Sequence, residues 1–269
     1  MRNKNILKTV FIYLALFFII FPVLILILWS IAGRWSFPNI FPETFSTRAI
    51  KELFGGYSGA IKVLLNSVLI SCIVAIISVI ISIPAARAIT MYNFYGKNIF
   101  KFVILMPIIV PATAFGMGIQ IFFIKMGIND TVVGVILVHI IVCIPYTMKI
   151  ISEVTEAVGN KLEMQARVLG ASPLKAFINI TIPILMPGII SSFSMAFIIS
   201  FSQYFLTFII GGGRVVTFSM IMLPYIQSGD RTIASAYGVM FIIATLGVFI
   251  LFEKLIKKYY DIENTYFFG

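Results

Sequence analysis

Apolar positions run through this chain in six long stretches, and charge and turn residues gather in the segments between them. The stretches cover approximately Thr9 to Ile31, Val63 to Ala86, Phe102 to Ile124, Val132 to Met148, Ile184 to Ile210 and Ala234 to Leu251. Each is long enough to cross a hydrocarbon core of about 30 Å at about 1.5 Å per residue. Backbone groups in lipid must bond internally, so all six are expected to be helices.

Composition supports the pattern. Hydrophobic residues make up 60% of the 269 and charged residues only 11%, a usage foreign to soluble globular domains. The chain therefore reads as an all-α integral membrane protein with six transmembrane helices. Its net charge of +10 sits on single basic residues beside apolar runs, which points to membrane orientation rather than to nucleic acid. Alternate loops divide these residues thirteen to seven, with Arg87, Lys97, Lys101, Lys149, Lys161, Arg167 and Lys175 on the richer side. The positive-inside rule then places both termini, and the loop between the fourth and fifth stretches, in the cytoplasm.

Arg2, Lys4 and Lys8 before an apolar run imitate a secretory signal. Thr9 to Ile31 exceeds the roughly 7 to 15 residues of a signal's apolar region, so it reads as a retained anchor. The expected organisation is an anchor helix with an external loop (1–60), a core (61–253) containing a cytoplasmic loop at 150–182, and a cytoplasmic tail (254–269). In the external loop Trp35, Phe37, Phe41 and Tyr57 are expected at interfacial depth. Gly55, Gly56 and Gly59 ahead of Lys62 do not meet the phosphate-loop spacing. Any ATPase is then another polypeptide.

The segment Glu163 to Gly188, EMQARVLGASPLKAFINITIPILMPG, mixes polar and apolar residues between two apolar stretches. Asn160 and Glu163 have capping-box spacing at a helix start. Gly170 suits a helix end that needs positive φ, and Ser172-Pro173 suits an immediate restart. The result is a bent two-helix lever outside the bilayer, followed by a proline entry into the next span at Pro183.

Leu162-Glu163-Met164-Gln165-Ala166-Arg167-Val168-Leu169-Gly170-Ala171-Ser172 and the later Ile182-Pro183 resemble the EAA loop of ABC importer permeases. That motif reads EAA, three residues, Gly, nine residues, Ile-x-Leu-Pro. The chain departs from it at Met164, at Gln165 and at Thr181-Ile182-Pro183. The resemblance implies a type I importer permease subunit of the cell membrane, without catalysis or cofactor of its own. Such a subunit pairs with itself or a similar permease, two cytoplasmic ATPases and an extracytoplasmic binding protein. The loop would couple to the ATPase, with Leu169, Leu174 and Phe177 as apolar anchors, Glu163 and Lys175 steering, and Ala166, Gly170, Ala171, Ser172 and Pro183 completing the motif.

Phe201 to Ala236 is similar to permeases of polyamine, ferric-ion, sulfate and thiamine-type importers. By that likeness the Gly211-Gly212-Gly213-Arg214 turn would dock the binding protein. The turn holding Asp230 and Arg231 is either a second docking element or a capped loop. A polyamine or similar small organic cation is the implied cargo.

Polar residues inside spans are candidates for a pathway because each is costly in lipid unless it faces a cavity or partner. Asn66, Thr113, Gln120, Ser200, Gln203 and Tyr204 are those chosen here. His139, the single histidine, reads as an interhelical hydrogen-bonding residue, and Cys72 and Cys143 read as core residues with no metal or disulfide role. No Asp or Glu lies mid-span, which counts against the rival readings of a stand-alone channel or an ion-coupled carrier.

Overall fold

A computed structural model describes residues 2–55 and 59–259. Gly56 and Tyr57 of the external loop and residues 260–269 of the tail lie outside the described residues, as do the side chains of Arg2, Lys4, Lys257 and Lys258. The elements run α1 (Arg2–Ser30), β1 (Ala32–Arg34), β2 (Thr44–Phe45), α2 (Arg48–Gly55), α3 (Ala60–Met91), α4 (Lys97–Ile109), α5 (Ala112–Lys125) and α6 (Val132–Val158). They continue with α7 (Lys161–Val168), α8 (Pro173–Ala176), a π turn (Phe177–Thr181), α9 (Ile182–Phe201), α10 (Phe205–Gly211), α11 (Phe218–Gln227) and α12 (Arg231–Tyr259). Among the described residues five apolar helices reach span length, and α4 with α5 supplies a sixth stretch bent by 106°.

The departures from the expected helices have local causes. Pro111 offers no N–H and pushes Val110 into extended backbone (φ −76°, ψ 133°), so the expected third helix is two. The expected fifth helix is also two, α9 and α10, separated at Ser202–Tyr204. Conversely α6 runs ten residues past Met148, because nothing breaks it before Gly159 at φ 68°. At its start the Thr131 side chain accepts from Gly134 N (3.0 Å), an N-cap. Pro183 does not open a span: the helix runs unbroken from Pro173 to Phe201. Its missing N–H is absorbed in the π turn, where Ile182 N reaches back five residues to the Phe177 carbonyl.

The described residues form two compact units. One comprises the chain up to Leu64 with Met220–Thr245; the other comprises Leu65–Ser219 with the chain from Leu246 onward. In the first, β1 and β2 pair antiparallel with Ala32 opposite Phe45, Trp29 stacks on Trp35, and the Thr232 hydroxyl donates to the Ala32 carbonyl (2.9 Å). From Lys8 to Leu24 the apolar side chains of α1 are nearly all exposed, as expected of a lipid-facing helix, and burial begins only towards Ser30.

The second unit holds the core. Val135, Val138, Cys143 and Ile151 of α6 and Leu185, Ile189, Phe193 and Phe197 of α9 are buried. A Cβ at Gly188 would come within 2.9 Å of Val154, so glycine is what lets α6 and α9 approach. In lipid such packing, rather than exclusion of water, drives helix association. The Ser82 and Thr147 hydroxyls share a hydrogen bond of 2.6 Å between α3 and α6, and Phe218 N donates to Ser67 Oγ at 2.8 Å. Bonds of this kind contribute about 0.6 kcal/mol each on average.

Candidate coupling and translocation sites

The lever ends as the sequence suggested and begins differently. Gly170 sits at φ 95°; its N–H donates to Arg167 O (3.1 Å), and Ala171 N donates to Ala166 O (3.0 Å). That pair of bonds is a Schellman cap, with Gly170 at the left-handed position. Ser172 Oγ accepts from Lys175 N at 3.4 Å and Pro173 occupies the first turn.

The capping box is not formed. Asn160 makes no side-chain cap bond, and Glu163 turns to other partners. Its Oε2 accepts from Arg87 Nη2 at 2.6 Å and from Thr181 Oγ1 at 2.7 Å. The Arg87 and Glu163 side chains are only 12% and 14% exposed, and there an ion pair with a guanidinium plus a second bond from Thr181 outweighs the single bond that the Asn160 N–H could give. Burial alone would raise the Glu163 carboxyl, but the bonds from Thr181 and Arg87, with the charges of Arg87 and Arg167, hold it below its ordinary value. Phe177 is half-buried under the Arg87 guanidinium, 4.8 Å from its ring centre, so it packs inward instead of standing beside the expected anchors. Leu169 and Leu174 do stand out, 88% and 67% exposed, and Met164 and Val168 are exposed as well. Ala171 and Pro183 are half-buried and Lys175 is exposed.

A second polar cluster lies at the α9–α10 break. His139 Nδ1 bonds Ser200 Oγ and its Nε2 bonds Thr207 Oγ1, both at 2.9 Å. Thr207 donates on to the Gln203 carbonyl (2.7 Å), which Ser219 Oγ also approaches at 3.4 Å. Gln120 Nε2 donates to Ile209 O at 3.0 Å, and Tyr204 stacks on Phe208. The Gln203 carbonyl at the break is thus satisfied by side chains rather than left to lipid. Ser200, chosen as a pathway residue, is buried against His139 within the subunit, while Asn66 and Thr113 are exposed. Arg87, Thr181 and Thr207 were not singled out by sequence. The signal for Thr207 was its place four residues after Gln203 in an apolar stretch; Arg87 read only as one more basic residue.

The glycine turn has Gly211 buried, Gly212 at φ 52° and Gly213 at φ 75°, with Arg214 exposed. The Asp130 carboxylate fills the space a Cβ at Gly212 would need. In the other unit Asp230 caps α12 through Ile233 N (3.2 Å) and pairs with Arg48 at 2.5 Å, while the Arg231 guanidinium lies 5.3 Å from the Trp29 ring centre. Asp230 thus caps the start of α12.

The comparisons agree with this architecture. Residues 78–259 match the family model described as the binding-protein-dependent transport system inner membrane component. The chain belongs to that family: it is a permease subunit of an ABC import system, with the all-α fold of a type I importer permease. It is similar to the molybdate/tungstate transport system permease protein WtpB of Pyrococcus abyssi, 28% identical over 74% of this chain and 79% of that one. It is also similar to the spermidine/putrescine transport system permease protein PotC homolog of Mycoplasma genitalium, 29% identical over 95% and 93%. Among solved structures, a bacterial ABC transporter involved in the import of alginate matches with a TM-score of 0.70 at 16% identity, covering 94% of this chain and 96% of that one.

Proposed function

We propose that this subunit forms half of a membrane pathway and receives the stroke of a separate ATPase through Glu163 to Ser172. The observation that carries the reading is the pair of hydrogen bonds that Glu163 Oε2 accepts, from Arg87 at the end of α3 and from Thr181 at the root of α9. A force applied to exposed Leu169 and Leu174 reaches two long helices through one carboxylate. Each leucine would contribute roughly 1.5 to 3 kcal/mol if fully buried in an ATPase groove. Nucleotide-driven movement of the lever then rocks the spans between inward- and outward-open states.

In this reading the subunit pairs with itself or a similar permease, binds two ATPases on the cytoplasmic side, and receives cargo from an extracytoplasmic binding protein near Gly211 to Arg214. Both termini are cytoplasmic. The cargo is a small charged solute: names of relatives include both polyamines and oxyanions, and a small organic cation is the reading we carry forward from the sequence. Selection falls to the binding protein, since no Asp or Glu lies mid-span to recognise a cation, and His139, Ser200 and Thr207 at the α9–α10 break are already bonded to one another.

Co-purification tests the coupling claim. Leu169→Glu with Leu174→Glu should leave the permease inserted and strip it of ATPase, whereas retention of ATPase would remove the lever from the interface.

A further inference from the structure

A cavity of about 530 Å³ opens among the C-terminal end of α3, the N-terminal part of α4 and the C-terminal half of α6. Three lysines line it, Lys97 and Lys101, one turn apart on α4, and Lys149 on α6. Lys97 Nζ already donates to Tyr92 O (2.9 Å) and Asn93 Oδ1 (3.2 Å). An ammonium has three N–H groups, so one remains, fixed in direction by the other two. Behind the lysines the wall is apolar, including Ile104, Leu105 and Met148. Along the α6 stripe that carries Lys149, Ser152 and Glu156 follow at helical spacing and complete the rim.

We infer that this cavity is a binding site for the headgroup of an anionic phospholipid that carries hydroxyls, of the phosphatidylglycerol class. The lysines supply a net positive mouth for a phosphate, as basic pockets between transmembrane helices do. Glu156 would repel a bare oxyanion but accepts hydrogen bonds from a glycerol headgroup, and Ser152 can do either. The volume and the apolar wall exceed what a single tetrahedral oxyanion needs and suit the first methylenes of an acyl chain. Lys97 stands at the start of α4, where the chain turns into its apolar run, so the cavity sits at headgroup depth. Its leaflet follows the topology proposed above; its chemistry does not depend on it.

Native mass spectrometry on the detergent-solubilised full-length permease tests the site, with dioleoyl phosphatidylglycerol and dioleoyl phosphatidylcholine as probes. The wild type should retain phosphatidylglycerol at least about tenfold better than phosphatidylcholine. Lys101→Ala with Lys149→Ala should abolish that preference, Lys101→Arg with Lys149→Arg should keep it, and Lys62→Ala with Lys125→Ala, far along the sequence, should not alter it. Inorganic phosphate in millimolar excess should fail to displace the lipid. Equal retention of the two lipids, an unchanged preference in the double alanine variant, or displacement by phosphate alone would overturn the assignment, the last in favour of a free oxyanion.

Discussion

Arg87 and Glu163, 76 residues apart in the chain, meet at 2.6 Å and join the lever to the end of α3. Each is largely shielded from water, so the pair is neither a surface bridge of little consequence nor a fully desolvated one. A double-mutant cycle with Arg87→Ala and Glu163→Ala should give a coupling energy of about 1 to 3 kcal/mol in thermal unfolding of the detergent-solubilised protein. A value within about 0.3 kcal/mol of zero would mean the two residues are merely adjacent.

The same pair sets a pH dependence. The Glu163 carboxyl lies below its ordinary value of 4.5 in the folded protein, so the unfolded state takes up a proton first as pH falls. Its contribution is full above that ordinary value and is lost as pH falls through the folded one. The difference in unfolding temperature between wild type and Glu163→Gln should therefore be constant around neutrality and shrink below pH of about 4.5. A difference that grows on acidification contradicts the assigned sign.

His139 holds both sides of the α9–α10 break. His139→Ala would leave Ser200 without its partner while Thr207 keeps its bond to Gln203, so the loss should be about 1 to 2 kcal/mol. Metal chelators should leave the wild type's stability unchanged. A stability change on chelation, measured by thermal unfolding, would give the histidine a ligand role instead.

The proposed topology rests on the distribution of basic residues and on the lever. Single cysteines at Ser172 and at exposed Arg214, in a background lacking Cys72 and Cys143, should react with an impermeant maleimide from opposite sides of the membrane. Reaction of both from the outside would contradict the proposed orientation.

Much of this was legible in the sequence because local chemistry decides it. Gly170, Ser172 and Pro173 act through their own backbone and nearest neighbours, so the lever's bend could be read from residue types. The six apolar stretches were equally plain, although Pro111 and the Ser202–Tyr204 segment each divide one of them. What local reading missed depends on distant partners. Asn160 and Glu163 have the spacing of a capping box, yet Arg87 and Thr181, brought close only by folding, offer the carboxylate a better site. Phe177 has the sequence character of an exposed anchor, and the guanidinium that covers it comes from another helix. Ser200 looks like a pathway hydroxyl until His139 is placed against it.

The central claim is that the stroke of the ATPase passes through the bend at Gly170. Its φ of 95° is one that a β-branched side chain resists at a cost of about 1 to 2 kcal/mol, and no neighbouring atom crowds the position, so backbone conformation is what Gly170→Val tests. ATP-driven cargo uptake, measured in proteoliposomes holding the permease, its ATPase and binding protein, should be lost in Gly170→Val although the variant inserts normally. Uptake at the wild-type rate, with the variant fully inserted, would contradict the account.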